Sequence, residues 1–139
     1  MFDAVAKNTI VPLILRLGLA AVFIFHGSGK VHPDNGWGAT WANKMPEPPT
    51  KPEQIAVAWG ELIGGIALAA GFLTRLAALG IALIMAGAIY TTTGKNGFDS
   101  LQHGYEYNFL IIVICIALIL MGGGTLAVDR VFRLRRRRQ

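Results

Sequence analysis

The sequence is poor in charged residues and almost lacks cysteine. Its 139 residues include 13 lysines and arginines and 8 aspartates and glutamates, or 15% charged residues, whereas a soluble domain usually carries about a quarter. The single cysteine, Cys115, excludes an intrachain disulfide, a Cys-x-x-Cys redox pair and a four-cysteine zinc site. The sequence also has no glycine-rich phosphate loop, no Ser/His/Asp arrangement of recognisable spacing and no zinc-protease helix. These absences argue against the familiar classes of soluble enzyme.

Hydrophobic residues and glycine take the place of the missing charges. The chain is 53% hydrophobic and has 17 glycines, and glycine is commoner in membrane helices than in soluble ones. A bilayer core of about 30 Å needs about twenty apolar residues in a helix. Four segments qualify or nearly qualify, at about 9–27, 55–73, 75–92 and 107–121. We therefore predict an all-α fold, a four-helix transmembrane bundle that forms a single membrane domain over residues 1–139.

The lysines and arginines predict how this bundle is oriented. With the N-terminus inside, eight basic residues lie on the inner side and four in the outer loops, and the inner ones include a basic cytoplasmic tail at 130–139. Because basic residues favour the cytoplasmic side, we expect both termini inside and a long outer loop between helices one and two. The net charge of +5 is then a topology signal. The expected partner is the lipid bilayer, and no nucleic-acid partner is expected.

Two charged residues lie within the predicted spans, where a charge costs about 2.5 to 3.5 kcal/mol on insertion scales. Arg16 lies about six residues from the inner end of its helix and Glu61 about six from the outer end of the next, so we expect their depths to differ by about 6 Å. We hypothesise that Arg16 and Glu61 form an ion pair inside the bundle. On the first helix, Lys30 falls on the same stripe as Arg16. The pair either orients two helices or lines a quinone, substrate or proton site.

A second polar group is expected at the outer end of the bundle. Its members are His26, Lys30, His32, Tyr90, His103, Tyr105, Glu106, Tyr107 and Asn108. Glu106 opens the fourth helix, where the helix dipole favours a negative charge, and the alternative is a functional carboxylate. No metal-ligand spacing occurs among the histidines, so no metal is expected.

The remaining candidate residues are interfacial. Tryptophan is favoured at the headgroup level, and Trp37, Trp41 and Trp59 are expected to anchor the bundle there. Arg75 marks the inner turn between helices two and three, which is so short that these helices must form an antiparallel hairpin.

The sequence resembles the DoxX family of small membrane proteins from about Leu13 to Asp129. The resemblance is carried by an ordered set of segments rather than by any one of them: Arg16-x-Gly18, Phe23, His26-Gly27, Lys30, Glu61-Leu62-Ile63-Gly64-Gly65, Gly71-Phe72-Leu73-Thr74-Arg75, Ala88-Ile89-Tyr90, Gly104-Tyr105-Glu106-Tyr107-Asn108 and Leu126-Ala127-Val128-Asp129. It implies a multi-pass protein of the bacterial inner (cytoplasmic) membrane. It also implies a link to membrane oxidoreductase assemblies, some of which deliver electrons to quinone, and importance for Arg16, Glu61, Arg75 and Glu106.

Three classes of function follow from these features. The first is an accessory or structural subunit of a larger membrane redox or energy-converting complex, which would not be catalytic on its own and would need no cofactor. The alternative is a quinone-linked oxidoreductase subunit, in which Arg16, Glu61, His26, Tyr90 and Glu106 surround the headgroup. The third is a small transporter or lipid-handling protein that uses the buried charges as a relay.

Overall fold

The computed structural model describes residues 2–31 and 51–136, with side chains over 3–31 and 52–132. The elements in chain order are α1 (Phe2–Val5), a π-helical stretch (Ala6–Ile10), α2 (Val11–Val31), α3 (Lys51–Ala70), α4 (Thr74–Ala88), a second π-helical stretch (Ile89–Thr93), two 3-10 turns (Gly94–Asn96 and Ser100–Gln102), α5 (Glu106–Met121) and α6 (Val128–Arg136). The described ranges contain helices and no strand, so the predicted all-α class is confirmed. Most of the predicted outer loop, with Trp37 and Trp41, lies outside the described residues, as do His32 and the end of the basic tail.

Three helical segments are long and apolar enough to cross a membrane: Asp3–Val31, Pro52–Ala70 and Thr74–Asn96. They correspond to the first three predicted spans and identify the chain as a membrane protein. The fourth predicted span is the apolar helix α5, whose 16 residues extend about 24 Å, less than the thickness of a bilayer core. Four crossings and the direction of insertion stay predictions.

The outward faces of the helices are covered by large apolar side chains. Exposed examples occur on each of the four long helices, among them Ile14, Phe25, Ile63, Leu76, Leu83, Leu110 and Leu120. The buried core contains Leu19, Phe23, Leu68, Ile81, Ile111 and Leu118. An apolar surface around an apolar core is unfavourable in water and suits a protein whose solvent is lipid.

Glycines bring α2, α3 and α4 into close contact. A methyl group on Gly27 would lie 2.5 Å from the backbone nitrogen of Leu62, and one on Gly65 would lie 2.9 Å from the backbone nitrogen of Ile24. On the neighbouring face of α3, Gly60 lies against Ile84 and Gly64 against Ile81. Small residues at such spacings allow close helix contacts in membranes. These contacts fix the axial register of α2 against α3, and they place α3 antiparallel to α4, as predicted for the hairpin.

The turn between α3 and α4 is built on left-handed backbone conformations. Gly71 has φ 69° and Leu73 has φ 47°. The Asp129 carboxylate accepts hydrogen bonds from the backbone N–H groups of Leu73 and Thr74, at 2.6 and 2.9 Å, and so caps the start of α4. The chain beyond α5 therefore folds back onto this turn.

Candidate functional site

The structure separates the two charged residues that were expected to pair, so the predicted Arg16–Glu61 ion pair is wrong. The contacts of Gly27 with Leu62 and of Gly65 with Ile24 place Glu61 beside residue 28 of α2. That position is about twelve residues, or about 18 Å, along the helix axis from Arg16. The side chains are both buried, at 1% and 3% exposure, but each has other partners.

Arg16 joins three parts of the chain at one end of the bundle, here called the Arg16 end. Its Nη1 donates to the Gly123 carbonyl at 2.6 Å and its Nη2 to the Ala69 carbonyl at 3.4 Å. Ala69 lies in the last turn of α3, where carbonyls lack partners within the helix and a positive charge is favourable. The guanidinium therefore holds α2, the end of α3 and the segment after α5 together.

Glu61 pairs instead with Lys30, at the opposite end of the bundle, here called the Lys30 end. The Lys30 Nζ donates to both carboxylate oxygens of Glu61 at 2.6 Å. The Glu61 side chain is 4% exposed and that of Lys30 is 20% exposed. An ion pair so far removed from water carries a large desolvation cost, which makes it a candidate functional group rather than a surface contact.

This ion pair lies in the wall of a cavity of about 720 Å³ at the Lys30 end. Helices α2 to α5 and the π-helical stretch after α4 all contribute to the wall. The polar lining residues are His26, Lys30, Glu53, Gln54, Glu61, Thr91, Thr92, Thr93, Tyr107 and Asn108, and the apolar ones include Val22, Phe23, Val57, Leu83, Ile84 and Met85. Tyr107 lies within electrostatic range of the Glu61 carboxylate. A mainly apolar chamber with a few polar groups is typical of a small-molecule site.

Only part of the predicted outer polar group reaches this cavity. His26 and Lys30 line it, whereas Tyr90 is 87% exposed and points away from the bundle. Tyr90 thus lies at the predicted end of the bundle but outside the cavity lining. Helical periodicity predicts the stripe of α2 that carries Lys30, whereas Tyr90 lies in a π-helical turn, to which the α-helical period does not apply.

The other three predicted residues, in the loop before α5 and at its first position, lie outside the cavity lining. The Glu106 carboxylate accepts a hydrogen bond from the backbone N–H of Ser100 at 3.2 Å. The Tyr105 ring packs edge-on against Phe98 at a centroid distance of 5.4 Å. His103 has φ 61°, and its carbonyl accepts from the Asn96 amide at 3.1 Å. These residues shape the loop, and the lining residues Tyr107 and Asn108 directly follow Glu106 in the first turn of α5.

The two interfacial predictions that fall within the described residues concern Arg75 and Trp59. Arg75 is exposed at the start of α4, and its Nη2 donates to the Leu120 carbonyl at 3.3 Å, which braces α4 against the end of α5. Trp59 is 49% exposed on α3, and its role at the lipid headgroups stays a prediction.

Sequence reasoning did not identify Thr93 or Met85 as site residues. Thr93 lies in the π-helical stretch Ile89–Thr93, and such local widening of a helix occurs often at functional sites. Met85 is buried on the face of α4 that meets α5. Neither residue type stands out in an apolar helix, and only the three-dimensional arrangement brings them to the cavity.

A second cavity, of about 700 Å³, lies at the Arg16 end. It is lined by Lys7, Asn8, Pro12, Met121, Gly122, Gly123, Gly124, Thr125, Asp129 and Arg130. Its walls are tied together by the Thr125 N–H, which donates to the Asn8 carbonyl at 2.9 Å, and by the contact of the Thr9 and Thr125 hydroxyls at 2.5 Å. Over the described ranges, no cluster of three histidine, cysteine or acidic side chains with the geometry for a metal ion occurs at either end.

A match to a known protein family covers three of the helices that build the site. The sequence model of the DoxX family matches residues 11–94, from the start of α2 through the π-helical stretch after α4. The chain belongs to the DoxX family. The match includes His26, Lys30 and Glu61 of the cavity and Arg16 of the opposite end, whereas Tyr107 and Asn108 lie beyond it.

Two bacterial proteins are similar to this DoxX chain over most of its length. An uncharacterized protein of Haemophilus influenzae is 30% identical over 125 residues, which cover 87% of this chain and 82% of that protein. A protein of Bacillus subtilis named "Putative oxidoreductase CatD" is 31% identical over 117 residues, which cover 84% of this chain and 83% of that protein. No solved structure matches the DoxX chain.

Proposed function

We propose that this DoxX protein is a membrane subunit of an oxidoreductase assembly and that its cavity at the Lys30 end holds the headgroup of a quinone. The observation that carries the proposal is the Lys30–Glu61 ion pair in the wall of a chamber of about 720 Å³. The name of the Bacillus subtilis relative supports a redox role. The electrons would come from a partner redox protein, so the chain would be an accessory subunit that supplies a binding site.

The cavity has the size and chemistry that a quinone headgroup needs. Small-molecule sites commonly enclose about 300 to 1,000 Å³, with apolar walls and a few convergent polar groups. Here Phe23, Ile84 and Val57 supply apolar surface on three helices. The carbonyl oxygens of a quinone accept hydrogen bonds, and the Lys30 ammonium is a strong charge-assisted donor.

The ion pair also suits the proton chemistry of the reaction. Reduction of a quinone to a quinol takes up two electrons and two protons, and oxidation returns them. In quinol oxidation the Glu61 carboxylate, with Tyr107 in its electrostatic range, would accept one ring proton and the second would pass to water at the mouth of the cavity, while the two electrons go to the partner redox protein. Reduction would run in reverse, and Lys30 would stabilise the negative charge that develops on the ring oxygen. His26 lies one turn before Lys30 on α2, deeper in the bundle, and also lines the cavity.

The proposed setting is the bacterial cytoplasmic membrane, with four crossings and both termini inside. The distribution of lysines and arginines supports this orientation, and both similar proteins are bacterial. The cavity would then open towards the outer leaflet. Helix α5 would complete its crossing with the glycine-containing segment that follows it, where Gly122 and Gly124 adopt positive φ.

Quinone binding is tested with the full chain purified in a mild detergent. We expect decylubiquinone to bind in calorimetric titration. Glu61→Gln should lower its affinity about tenfold, because the neutral amide cannot form an ion pair with Lys30. The matched control is Glu106→Gln, the same change at a carboxylate that lies outside the cavity. Wild-type protein that binds no quinone, or equal effects of the two substitutions, would contradict the proposal.

The accessory role is tested separately by the mass of the complex. Extraction from the native membrane in a mild detergent should yield an assembly that contains a redox protein, and the assembly should reduce added decylubiquinone. A protein recovered only as an isolated bundle, with full activity in that form, would contradict the accessory role and leave the quinone site standing.

A further inference from the structure

Asn108 is a buried amide whose hydrogen bonds are weak. It lies in the first turn of α5, is 8% exposed and lines the cavity. Its Nδ2 donates to the Met85 sulfur at 3.4 Å, and its Oδ1 accepts from the Thr93 hydroxyl at 3.4 Å. A thioether is a poor acceptor, and hydroxyl hydrogen bonds are normally about 2.7 to 2.8 Å long. The amide thus retains unused capacity in a place where buried polar groups normally find strong partners.

The amide and the ion pair belong to different walls of the cavity. Lys30 and Glu61 come from α2 and α3, whereas Asn108, Met85 and Thr93 come from α5, α4 and the π-helical stretch. The apolar part of the wall comes from α2, α3 and α4, through side chains such as Phe23, Val57 and Ile84. A ligand that satisfies both groups needs polar atoms at two separated points of one mainly apolar body.

We infer that Asn108 is a ligand-binding residue and that the cavity selects a ring with two carbonyl groups para to each other. One carbonyl accepts a hydrogen bond from the Asn108 amide, which turns away from the Met85 sulfur, and the other meets Lys30. This inference rests on the proposed quinone site and specifies its ligand. It also distinguishes para-quinones from phenols and fatty acids, which offer a polar group at one end only.

A purely structural role for Asn108 makes a different prediction. If its function were to tie α5 to α4 through Met85, removing either partner of that hydrogen bond would loosen the bundle equally. If the amide waits for a ligand, replacing it by an apolar residue of the same shape relieves an under-satisfied buried group and leaves the fold intact or firmer. Ligand affinity and thermal stability therefore separate the two roles.

The test compares Asn108→Leu, Lys30→Met and Met85→Leu in the full-length protein in detergent. The ligands are decylubiquinone and para-decylphenol, which has a single ring oxygen. We expect Asn108→Leu and Lys30→Met each to weaken decylubiquinone about tenfold, the effect of one lost hydrogen bond of about 1.4 kcal/mol. Glu106→Gln, a change at a carboxylate outside the cavity, should bind it as tightly as the wild type, and Met85→Leu is compared by melting temperature alone. The phenol should lose affinity in at most one of the first two variants.

Several results would overturn the inference. Decylubiquinone binding that is unchanged in Asn108→Leu but lost in Lys30→Met leaves the quinone site standing and removes Asn108 from it. Equal losses of melting temperature in Asn108→Leu and Met85→Leu show a structural tie instead. If para-decylphenol loses affinity in both Asn108→Leu and Lys30→Met, selection of a para-dicarbonyl ring is refuted. If wild-type protein binds no quinone, both proposals fail together. Should Asn108→Leu not fold, Asn108→Ser is read in the same way.

Discussion

Replacing the buried Arg16 by methionine should destabilise the bundle. Arg16 is 1% exposed and donates through Nη1 to Gly123 and through Nη2 to Ala69. Methionine keeps much of the apolar stem and flexibility of the side chain but removes every donor. The change therefore isolates the hydrogen bonds of the guanidinium from its packing.

The expected loss is about 2 kcal/mol. A hydrogen bond from a charged donor contributes about 1.5 to 3 kcal/mol, and the 2.6 Å bond to Gly123 is in this class. The longer bond to Ala69 and the positive charge at the end of α3 together add about 0.5 kcal/mol. In the opposite direction, Arg16 Nε is buried with no hydrogen-bond partner among the described residues, which costs about 1 kcal/mol. The favourable contributions exceed this cost.

The measurement is reversible unfolding of the full chain in mixed micelles, followed by circular dichroism as denaturing detergent is added. Gly18→Ala is the control, since it changes a neighbouring exposed position of α2 where an added methyl group meets nothing within 4 Å. Arg16→Lys should recover only part of the loss, because one ammonium group cannot reach two carbonyls as a planar guanidinium does. A methionine variant as stable as the wild type would show that desolvation of the guanidinium cancels its hydrogen bonds and would refute the reasoning.

Two further predictions concern the contacts that hold the helices in place. Gly27→Ala should destabilise the protein by about 2 kcal/mol or more in a thermal melt, because its methyl group would lie 2.5 Å from the Leu62 backbone nitrogen and the helices must move apart. In the control Gly29→Ala the added methyl group meets nothing within 4 Å, so the melting temperature should not fall in this way. Asp129→Ala should lower the free energy of unfolding by about 1 kcal/mol through loss of the cap on α4, measured by unfolding in detergent. Asp129→Asn keeps an acceptor oxygen and should lose less stability. Equal losses of stability in the two variants would contradict the capping role.

The helices were predictable from sequence because their cause is local. Apolar runs of about twenty residues predict membrane helices wherever hydrocarbon is the solvent, and three of the four runs meet the requirements of length and composition. The polar stripe of α2 was also predictable, since helical periodicity alone places Lys30 on the face of Arg16. The ends of the helices were harder to predict: α2 continues to Val31 and α3 begins at Lys51, each about four residues beyond the prediction.

The pairing of charges was not predictable in the same way because it depends on how two helices slide along one another. The prediction counted depth from assumed helix ends and brought Arg16 within reach of Glu61. The actual register follows from the close contacts of Gly27 and Gly65 with α3 and α2. Those glycines were visible in the sequence, and aligning them across the two helices would have placed Lys30, not Arg16, beside Glu61.

The cavity could not be predicted from the sequence because it is formed by residues that lie far apart in the chain. Asn108 follows a loop that was difficult to place from sequence, and its weak bonds to Met85 and Thr93 are recognisable only when α4 and α5 are packed together. Polar residues that open a helix are usually solvated or cap it, as Glu106 does by holding the loop at Ser100. Sequence position alone did not separate these two neighbours, one buried in the site and the other outside it.

The axial distance between the two buried charges gives them different physical tasks. Arg16 satisfies carbonyls at a helix end and at the glycine segment after α5, so its cost of burial is offset by closing the bundle. Glu61 and Lys30 pair with each other in the wall of the cavity. Their polar atoms therefore face a space in which a ligand can form hydrogen bonds with them. With about 18 Å between them along the helix axis, changes at the two ends should act independently. Loss of Arg16 should therefore reduce stability at unchanged affinity, and loss of the ion pair should reduce affinity in a bundle that is still closed.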